Sequence, residues 1–297
     1  FLDRFCVGSA SVVRMNAEDI VDLIGVVVKA YPDVKTIIFQ DDLFICHNDD
    51  RREKLCELLI QQKEMRILPE DLSFIATTRV DTMQWPYLVS MKRAGFRLLG
   101  YGVESFSKRV LGEYGKQEIY PFIDSTLSKT LSCGIKPFLD IILASPESTL
   151  DDVMMTLDRC LDYLMRGCEV SIYPTVIPFS GAEMVKDHRV QELIVYVQET
   201  ISQTNIQLHR GISIQPRSPE VRNFLDTVNA TYNHYFSYFK ATSGVTRFPS
   251  RLRSMIYIIS AIEQYPESLP HSVEQLKDYV FGPIDGYRTA ENVSLAY

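Results

Sequence analysis

The sequence predicts an α/β fold with a parallel sheet, followed by a C-terminal region that is mainly helical. From residue 18 to residue 176, helical periodicity alternates with five short runs rich in Val, Ile, Phe and Tyr. The runs recur at intervals of roughly 25 to 40 residues, which suits either a (βα) barrel or an open doubly wound sheet. No Gly-x-Gly-x-x-Gly follows any run, so the dinucleotide-binding form of the open sheet lacks its fingerprint.

The predicted elements follow one another in a regular order. Asn16 is the predicted N-cap of the first helix, whose apolar face includes Ile20 and Ile24. The third helix should end at Gly95, because glycine adopts the left-handed conformation that terminates helices. The later helices are expected at about residues 51–63, 84–94, 120–133 and 149–165. The five strands are expected at residues 34–39, 72–77, 97–101, 136–143 and 169–175.

Composition excludes several classes of protein. A chain of 297 residues with 46% hydrophobic content can bury a sizeable core. The net charge of −7 and the absence of a Lys/Arg cluster argue against an extensive nucleic-acid surface. No apolar stretch approaches the roughly 20 residues that cross a bilayer. The six cysteines are scattered rather than closely spaced, which favours a reducing cytoplasm over a disulfide framework.

Polar residues follow each of the five runs, at the carboxyl ends of the strands, where parallel α/β folds bind ligands. Carboxylates there can accept hydrogen bonds from an ammonium group or from ribose hydroxyls, and Arg79 can hold a ligand carboxylate bidentately. The five segments are Gln40-Asp41-Asp42, Thr78-Arg79-Val80-Asp81, Gly102-Val103-Glu104-Ser105, the residues from Ala144 to Thr149, and Pro178-Phe179-Ser180-Gly181.

Some of these residues also have a purely structural interpretation. Ser105 and Thr149 each precede a helical stretch and are predicted N-caps. Asp41 or Asp42 can simply begin a turn. Glu104 follows an apolar strand that contains two glycines, which indicates close approach of backbone or ligand and favours a role in a site.

Six motifs stand in order along the chain, from Phe39 to Glu183. They are Phe-x-Asp-Asp-x-Phe at 39–44, Thr-Arg-Val-Asp at 78–81, Lys-Arg-Ala-Gly at 92–95, Gly-Val-Glu-Ser at 102–105, Pro-Glu-Ser-Thr at 146–149 and Pro-x-x-Gly-Ala-Glu at 178–183. In this order and spacing they resemble the radical S-adenosylmethionine (SAM) superfamily, in particular its cobalamin-dependent and Elp3-like members. With the segment around Cys6, the resemblance covers about residues 4 to 185.

The resemblance implies a partial (βα)6 TIM-like barrel over residues 1–185, with its first strand missing or incomplete, and a helical extension over residues 186–297. It implies reductive cleavage of S-adenosylmethionine at a [4Fe–4S] cluster, which generates a 5′-deoxyadenosyl radical that acts on an unknown substrate. Methyl transfer is one outcome that it allows. The implied cofactors and partners are S-adenosylmethionine, the cluster, cobalamin held by an upstream domain, an electron donor of the flavodoxin or ferredoxin type, and a small-molecule or macromolecular substrate.

The resemblance also assigns individual residues. Cys6 corresponds to the last cluster ligand, and Phe5 would pack near the adenine. Asp3 stands where the second cysteine of the family's Cys-x-x-x-Cys-x-x-Cys is expected, and the first would precede Phe1, so we expect a longer gene product and little activity from this fragment alone. The expected cofactor-binding residues are Asp41 and Asp42 for the methionine ammonium, Glu104 for the ribose or amino group, and Tyr173, Pro174 and Thr175 for backbone contacts to adenine. Arg79 and Ser105 belong to the same expected set.

Two other functions remain open at the level of sequence. One is a degenerate barrel that binds a partner or nucleoside without a cluster. The other is an ordinary (βα) barrel lyase or hydrolase in which Asp42 and Glu104 act as acid and base.

Overall fold

A computed structural model describes residues 15–41, 44, 50–179, 182–200, 207–243, 250–267 and 276. Its main sheet has five strands in the order β1-β2-β3-β4-β5, which is their order along the chain. The fold is therefore a partial α/β barrel of parallel strands with a mainly helical C-terminal region, as the sequence predicts. The strands are β1 (Thr36–Ile38), β2 (Ser73–Thr78), β3 (Phe96–Glu104), β4 (Lys136–Ala144) and β5 (Glu169–Thr175).

Helices follow the strands at nearly the predicted positions. In the barrel region they are α1 (Ala17–Ala30), α2 (Asp50–Glu64), α3 (Trp85–Ala94), α4 (Lys108–Glu113), α5 (Ile123–Ser132) and α6 (Leu150–Met165). Short 3₁₀ helices cover Val80–Thr82 and Gln117–Phe122. The C-terminal region contains α7 (Glu183–Lys186), α8 (His188–Gln191), β6 (Ile194–Thr200), β7 (Gln207–Ile214), α9 (Pro219–Ser243) and α10 (Ser250–Gln264).

The chain forms two compact units. The first, called here the β1–β3 unit, comprises the described residues of 9–103 and 118–140. In it β1 pairs with β2 and β2 with β3, both in parallel. The core is aromatic: the ring of Phe39 stacks at 6.0 Å from that of Phe74 and at 6.2 Å from that of Phe96. Burial of such rings is the main source of stability for a small unit of this kind.

Local signals explain where the elements of this unit begin and end. The Asn16 side chain accepts a hydrogen bond of 2.7 Å from the backbone N–H of Asp19 and caps α1, as predicted. Helix α3 ends at Gly95, which has φ of 109°. A Cβ at Gly95 would contact the Lys63 ammonium and lie 2.9 Å from the carbonyl oxygen of Leu72, so only glycine fits at this position.

The second unit, called here the β5 unit, comprises the described residues of 104–117 and 141–297. Helix α10 packs on β5, α6 and α9. Ten of its residues are buried. A buried cluster of Val110, Tyr114, Val176, Ile194 and Ile214 forms a further core.

The antiparallel pair of β6 and β7 was not expected from the sequence. Its strands alternate polar and apolar residues only in part, and the segment lies in a region that we expected to be helical. Tertiary contacts hold it instead: the backbone N–H of Ile214 donates a 2.8 Å hydrogen bond to the carbonyl of Val176, which joins β7 to the chain just after β5. Within the part of the chain that the structure describes, no helix is long and apolar enough to cross a membrane.

Candidate functional site

At the end of β1, Asp41 is exposed and its backbone is held by the neighbouring strand. The Thr77 hydroxyl donates a hydrogen bond to the backbone carbonyl of Asp41. The ring of Phe39 stacks on that of Phe44 at 4.0 Å. Asp42, the other carboxylate predicted here, lies outside the described residues.

Arg79 follows β2, and its guanidinium is hydrogen-bonded to two carboxylates of the protein. Its Nε lies 2.9 Å from Asp81 Oδ1 and its NH2 lies 2.7 Å from Asp81 Oδ2, which is a bidentate pair. The same NH2 lies 3.2 Å from Glu118 Oε1. The hydrogen bond with Asp81 raises the pKa of Arg79. A ligand carboxylate would therefore have to compete with Asp81 for the same edge of the guanidinium.

Glu104 is the last residue of β3 and has an unusual backbone conformation. Its φ is 64°, in the left-handed region that costs free energy for a residue with a Cβ. Its Oε1 accepts a 2.5 Å hydrogen bond from Lys116 Nζ. Both side chains are largely buried, at 15% exposed for Glu104 and 6% for Lys116. The strand end therefore presents a carboxylate in a strained and shielded position.

Ser105 is fully buried and does not cap a helix, contrary to one of its two predicted roles. Its hydroxyl lies 3.1 Å from the Thr156 hydroxyl and accepts a 3.1 Å hydrogen bond from the backbone N–H of Ser107. Ser107 is the N-cap of α4, because its side chain accepts from the backbone N–H of Val110. The cap thus lies two residues later than the sequence pattern suggested.

The segment after β4 builds a network of hydrogen bonds around Asp152. Thr149 caps α6 as predicted, and with Asp152 it forms a capping box. Asp152 also accepts a 2.5 Å hydrogen bond from the Ser107 hydroxyl and forms an ion pair with Arg109. Burial raises the pKa of Asp152, but the hydrogen bonds from Arg109, Ser107 and Thr149 outweigh it and lower that pKa to about 2. This network fixes the start of α6 against α4.

Sequence reasoning missed several residues of these networks. The spacing of Thr149 and Asp152 is the capping-box signature and could have identified Asp152. Nothing in the sequence marks Lys116 as the partner of Glu104, because the two residues stand 12 positions apart without a motif that links them. Arg109 resembles any other surface arginine on a helix.

At β5, the side chain of Tyr173 is exposed, and Pro174 and Thr175 are half-buried. The backbone of this strand end is the part expected to contact adenine. The expectation that Asp41, Asp42, Arg79 and Glu104 face one cavity stays a prediction.

The described cysteines do not form a cluster site. Cys56, Cys160 and Cys168 are buried and Cys133 is half-buried, and all four are free thiols. Burial raises the pKa of Cys56 and of Cys168 to about 12, whereas cluster ligands must be thiolates. No group of three metal-ligating side chains is found among the residues that the structure describes. Cys6 and Phe5, which the resemblance assigns to the cluster and the adenine, lie outside them.

Comparisons with known proteins bear on the fold. No protein-family model matches the sequence, and no curated protein matches it significantly. Among solved structures, the apo form of the cobalamin-dependent S-adenosylmethionine radical enzyme OxsB matches 97% of this chain with a TM-score of 0.63 and 15% identity. The radical S-adenosylmethionine methyltransferase TsrM from Kitasatospora setae, with tryptophan and an S-adenosylmethionine analogue bound, matches 94% with a TM-score of 0.55 and 10% identity.

The chain spans about half the length of these structures, at 48% of the OxsB chain and 57% of the TsrM chain. At this level of identity the similarity concerns the fold. The strand order, the helices between the strands and the C-terminal region together make this chain a partial α/β barrel with the fold of the cobalamin-dependent radical S-adenosylmethionine enzymes.

Proposed function

We propose that this chain is the core of a radical S-adenosylmethionine enzyme and that it binds S-adenosylmethionine at the carboxyl ends of its strands. Two independent kinds of support agree: the ordered strand-end motifs of the sequence, and the fold shared with OxsB and TsrM. The observation that carries the proposal is Glu104, the carboxylate with φ of 64° at the end of β3. Strained backbone of this kind is concentrated at functional sites.

Glu104 has unused capacity for a ligand. A carboxylate offers about four acceptor positions. One position on Oε1 accepts the hydrogen bond from Lys116. The remaining positions can accept hydrogen bonds from ribose hydroxyls or from the amino group of the methionine moiety. In this proposal Lys116 is a positioning residue that offsets the cost of burying the carboxylate.

The other proposed contacts follow the strand ends. Asp41, whose carboxylate is exposed, would accept from the methionine ammonium together with Asp42, and the backbone of Tyr173 to Thr175 would contact adenine. Arg79 takes part in this proposal only if the ligand displaces Asp81 from one of its two hydrogen bonds. Ser105 would act through the backbone, since its hydroxyl is buried against Thr156.

Among the described residues no group of three metal-ligating side chains is found, so their proposed part is to bind and orient S-adenosylmethionine. In the proposal Cys6 would be one ligand of a [4Fe–4S] cluster, which would supply the electron for reductive cleavage of S-adenosylmethionine. A flavodoxin- or ferredoxin-type donor, cobalamin on an upstream domain, methyl transfer to an unknown substrate and a cytoplasmic location belong to the same proposal.

The test is the formation of 5′-deoxyadenosine. The full-length gene product would be reconstituted anaerobically with iron and sulfide, then incubated with S-adenosylmethionine and dithionite. We expect 5′-deoxyadenosine and methionine in equal amounts, or methyl transfer when a substrate is supplied. Omission of dithionite is the control for non-reductive breakdown.

The alternative functions give different results in the same experiment. A binding protein without a cluster would retain S-adenosylmethionine or a nucleoside and release no 5′-deoxyadenosine. A lyase or hydrolase that uses Asp42 and Glu104 would turn over without iron or reductant. Either result would contradict the proposed function.

A further inference from the structure

The turn after β2 is a short 3₁₀ helix, Val80–Thr82, which lies in the chain between Arg79 and α3. A helix this short leaves backbone carbonyls without partners inside it. One carbonyl is satisfied locally: the backbone N–H and the hydroxyl of Thr82 both donate to the carbonyl of Arg79, at 3.3 and 2.8 Å. The turn is thus closed onto Arg79, the residue whose guanidinium pairs with Asp81.

Side chains from two neighbouring helices hold two further carbonyls of this turn. The hydroxyl of Thr126, on α5, donates a 2.7 Å hydrogen bond to the carbonyl of Val80. NH1 of Arg52, in the first turns of α2, donates a 3.3 Å hydrogen bond to the carbonyl of Thr82. All four residues are buried. Because solvent does not reach a buried carbonyl, these two contacts fix where the turn lies against α2 and α5.

Arg52 is better placed to locate this turn than to stabilise the protein. Its Cζ lies 3.3 Å from the ring centroid of Tyr87, on α3, which orients the guanidinium. Its Nε is buried without a partner in the protein, and the adjoining cavity of about 10 Å³ has room for about one water. Burial of a cation costs free energy that one hydrogen bond of 3.3 Å offsets only in part. The specific contribution of Arg52 is therefore the hydrogen bond that locates Thr82.

We propose that Arg52 is a positioning residue for Arg79. By holding the carbonyl of Thr82 it fixes the turn that carries Arg79 and Asp81, so this strand end is formed before a ligand arrives. The contacts run from Arg52 NH1 to the Thr82 carbonyl, and from the Thr82 hydroxyl and N–H to the Arg79 carbonyl. The consequence for S-adenosylmethionine binding rests on the proposed function, whereas the positioning of Arg79 itself does not.

The first measurement follows the Nε–Hε signal of Arg79 by NMR, in ligand-free protein labelled with ¹⁵N, and Arg79→Lys identifies the signal by removing it. This N–H is hydrogen-bonded to Asp81, so its chemical shift and its exchange with water report the position of the pair. Arg52→Met keeps an unbranched apolar chain over Tyr87 and removes the donor to Thr82. We expect it to shift the Arg79 signal and to accelerate the exchange. Arg52→Lys, which keeps a cation and a donor, should restore most of the original signal.

Leu59→Val is the matched control. Leu59 is buried on the same helix, so the loss of a methylene there destabilises the protein without removing a donor from the turn. The Arg79 signal should stay in place in this variant. An Arg79 signal that does not move in folded Arg52→Met, or that moves as far in Leu59→Val, overturns the proposal. If Arg52→Met does not fold, Arg52→Gln takes its place, because its side chain is too short to reach the Thr82 carbonyl.

The second measurement is isothermal titration calorimetry of the full-length gene product with S-adenosylmethionine. We expect Arg52→Met to weaken binding by about 10-fold, the order of effect seen when a residue that orients a ligand-binding group is lost, and Leu59→Val to bind normally. Unchanged affinity in Arg52→Met would mean that Arg52 does not position Arg79 for this ligand. If the unchanged protein binds no S-adenosylmethionine, the proposed function fails, while a shifted Arg79 signal in Arg52→Met still supports the role of Arg52.

Discussion

At the scale of the residue, the structure changes what Glu104 is expected to do. From the sequence it is a strand-end carboxylate expected to bind the ribose or amino group of a ligand. The structure adds Lys116 at 2.5 Å, with both side chains largely buried. Replacement of Glu104 therefore has consequences for stability as well as for binding.

We predict that Glu104→Gln, in the full-length gene product, weakens S-adenosylmethionine binding by about 10- to 150-fold, which corresponds to about 1.5 to 3 kcal/mol for a hydrogen bond to a charged group. Isothermal titration calorimetry measures the change. The exposed Glu220→Gln is the matched control and should bind normally. Normal binding by Glu104→Gln would show that the carboxylate is structural.

The same variant should also lower the free energy of unfolding, because it removes the negative charge next to the Lys116 ammonium. A double-mutant cycle with Lys116→Met separates the two effects. We expect a coupling free energy between Glu104 and Lys116 of about 0.5 to 3 kcal/mol in urea unfolding. The binding defect should persist in the double variant, since Lys116→Met does not restore the acceptor.

At the scale of the element, the ends of helices determine how strands and helices meet. Helix α3 ends at Gly95, where the chain turns directly into β3, and α6 begins at the capping box of Thr149 and Asp152. Both ends rest on local chemistry that the sequence displays. Each can be tested by a single substitution.

Gly95→Ala should destabilise the protein by more than about 1 kcal/mol, because L-residues are strained at positive φ and the new Cβ would approach the Leu72 carbonyl. Gly25→Ala in α1 is the matched control, since a Cβ there meets nothing within 4 Å. That variant should gain about 0.5 to 1 kcal/mol from helix propensity. Urea unfolding of both variants measures the contrast, and equal effects would show that Gly95 is not required by its conformation.

Asp152 should make the stability depend on pH in the acidic range. Its pKa is lowered from 3.8 to about 2 in the folded state, so its contribution is complete above the unfolded value and is lost as the pH falls through the folded value. We expect Asp152→Asn to be less stable than the unchanged protein by on the order of 1 to 2 kcal/mol at neutral pH.

That difference between the two proteins should shrink as the pH falls from about 4 to 2, the window set by the two pKa values. Urea unfolding at several pH values measures it. Asp151→Asn, the adjacent exposed carboxylate, serves as the control and should show no such window. A constant difference across the acidic range would mean that shape, rather than charge, explains the role of Asp152.

At the scale of the whole molecule, the fold is that of the cobalamin-dependent radical S-adenosylmethionine enzymes, while the chain spans about half of the OxsB structure. Three thiolates are normally needed to hold a [4Fe–4S] cluster with one open iron. The described residues contain no group of three metal-ligating side chains.

We predict that the chain of 297 residues retains no stable cluster after anaerobic reconstitution, because Cys6 is the one cysteine near the expected position. The absorbance near 400 nm and the iron content measure this, and TsrM, whose structure contains a [4Fe–4S] cluster, is the positive control. About four irons per chain in the shorter protein would refute the prediction.

The sequence by itself determined the βα alternation, the order of the strands and most of the element boundaries. Periodicity and caps are local properties, so the signals at Asn16, Gly95 and Thr149 sufficed for α1, α3 and α6. The prediction that Ser105 is an N-cap was wrong, because two serines stand close together in this segment. It is the side chain of Ser107 that accepts the hydrogen bond from the backbone N–H of Val110 and caps α4.

Only the tertiary structure decided which charges meet. The ion pair of Glu104 with Lys116 forms only in the folded chain, as do the ion pairs of Arg79 with Asp81 and Glu118. Each depends on the path of the chain between its partners. The same holds for β6 and β7, whose pairing depends on the bridge from Ile214 to Val176 rather than on a strong local pattern. Burial of Arg52 likewise follows from the packing of α2 over Tyr87, since no property of an isolated arginine predicts that its guanidinium will be enclosed.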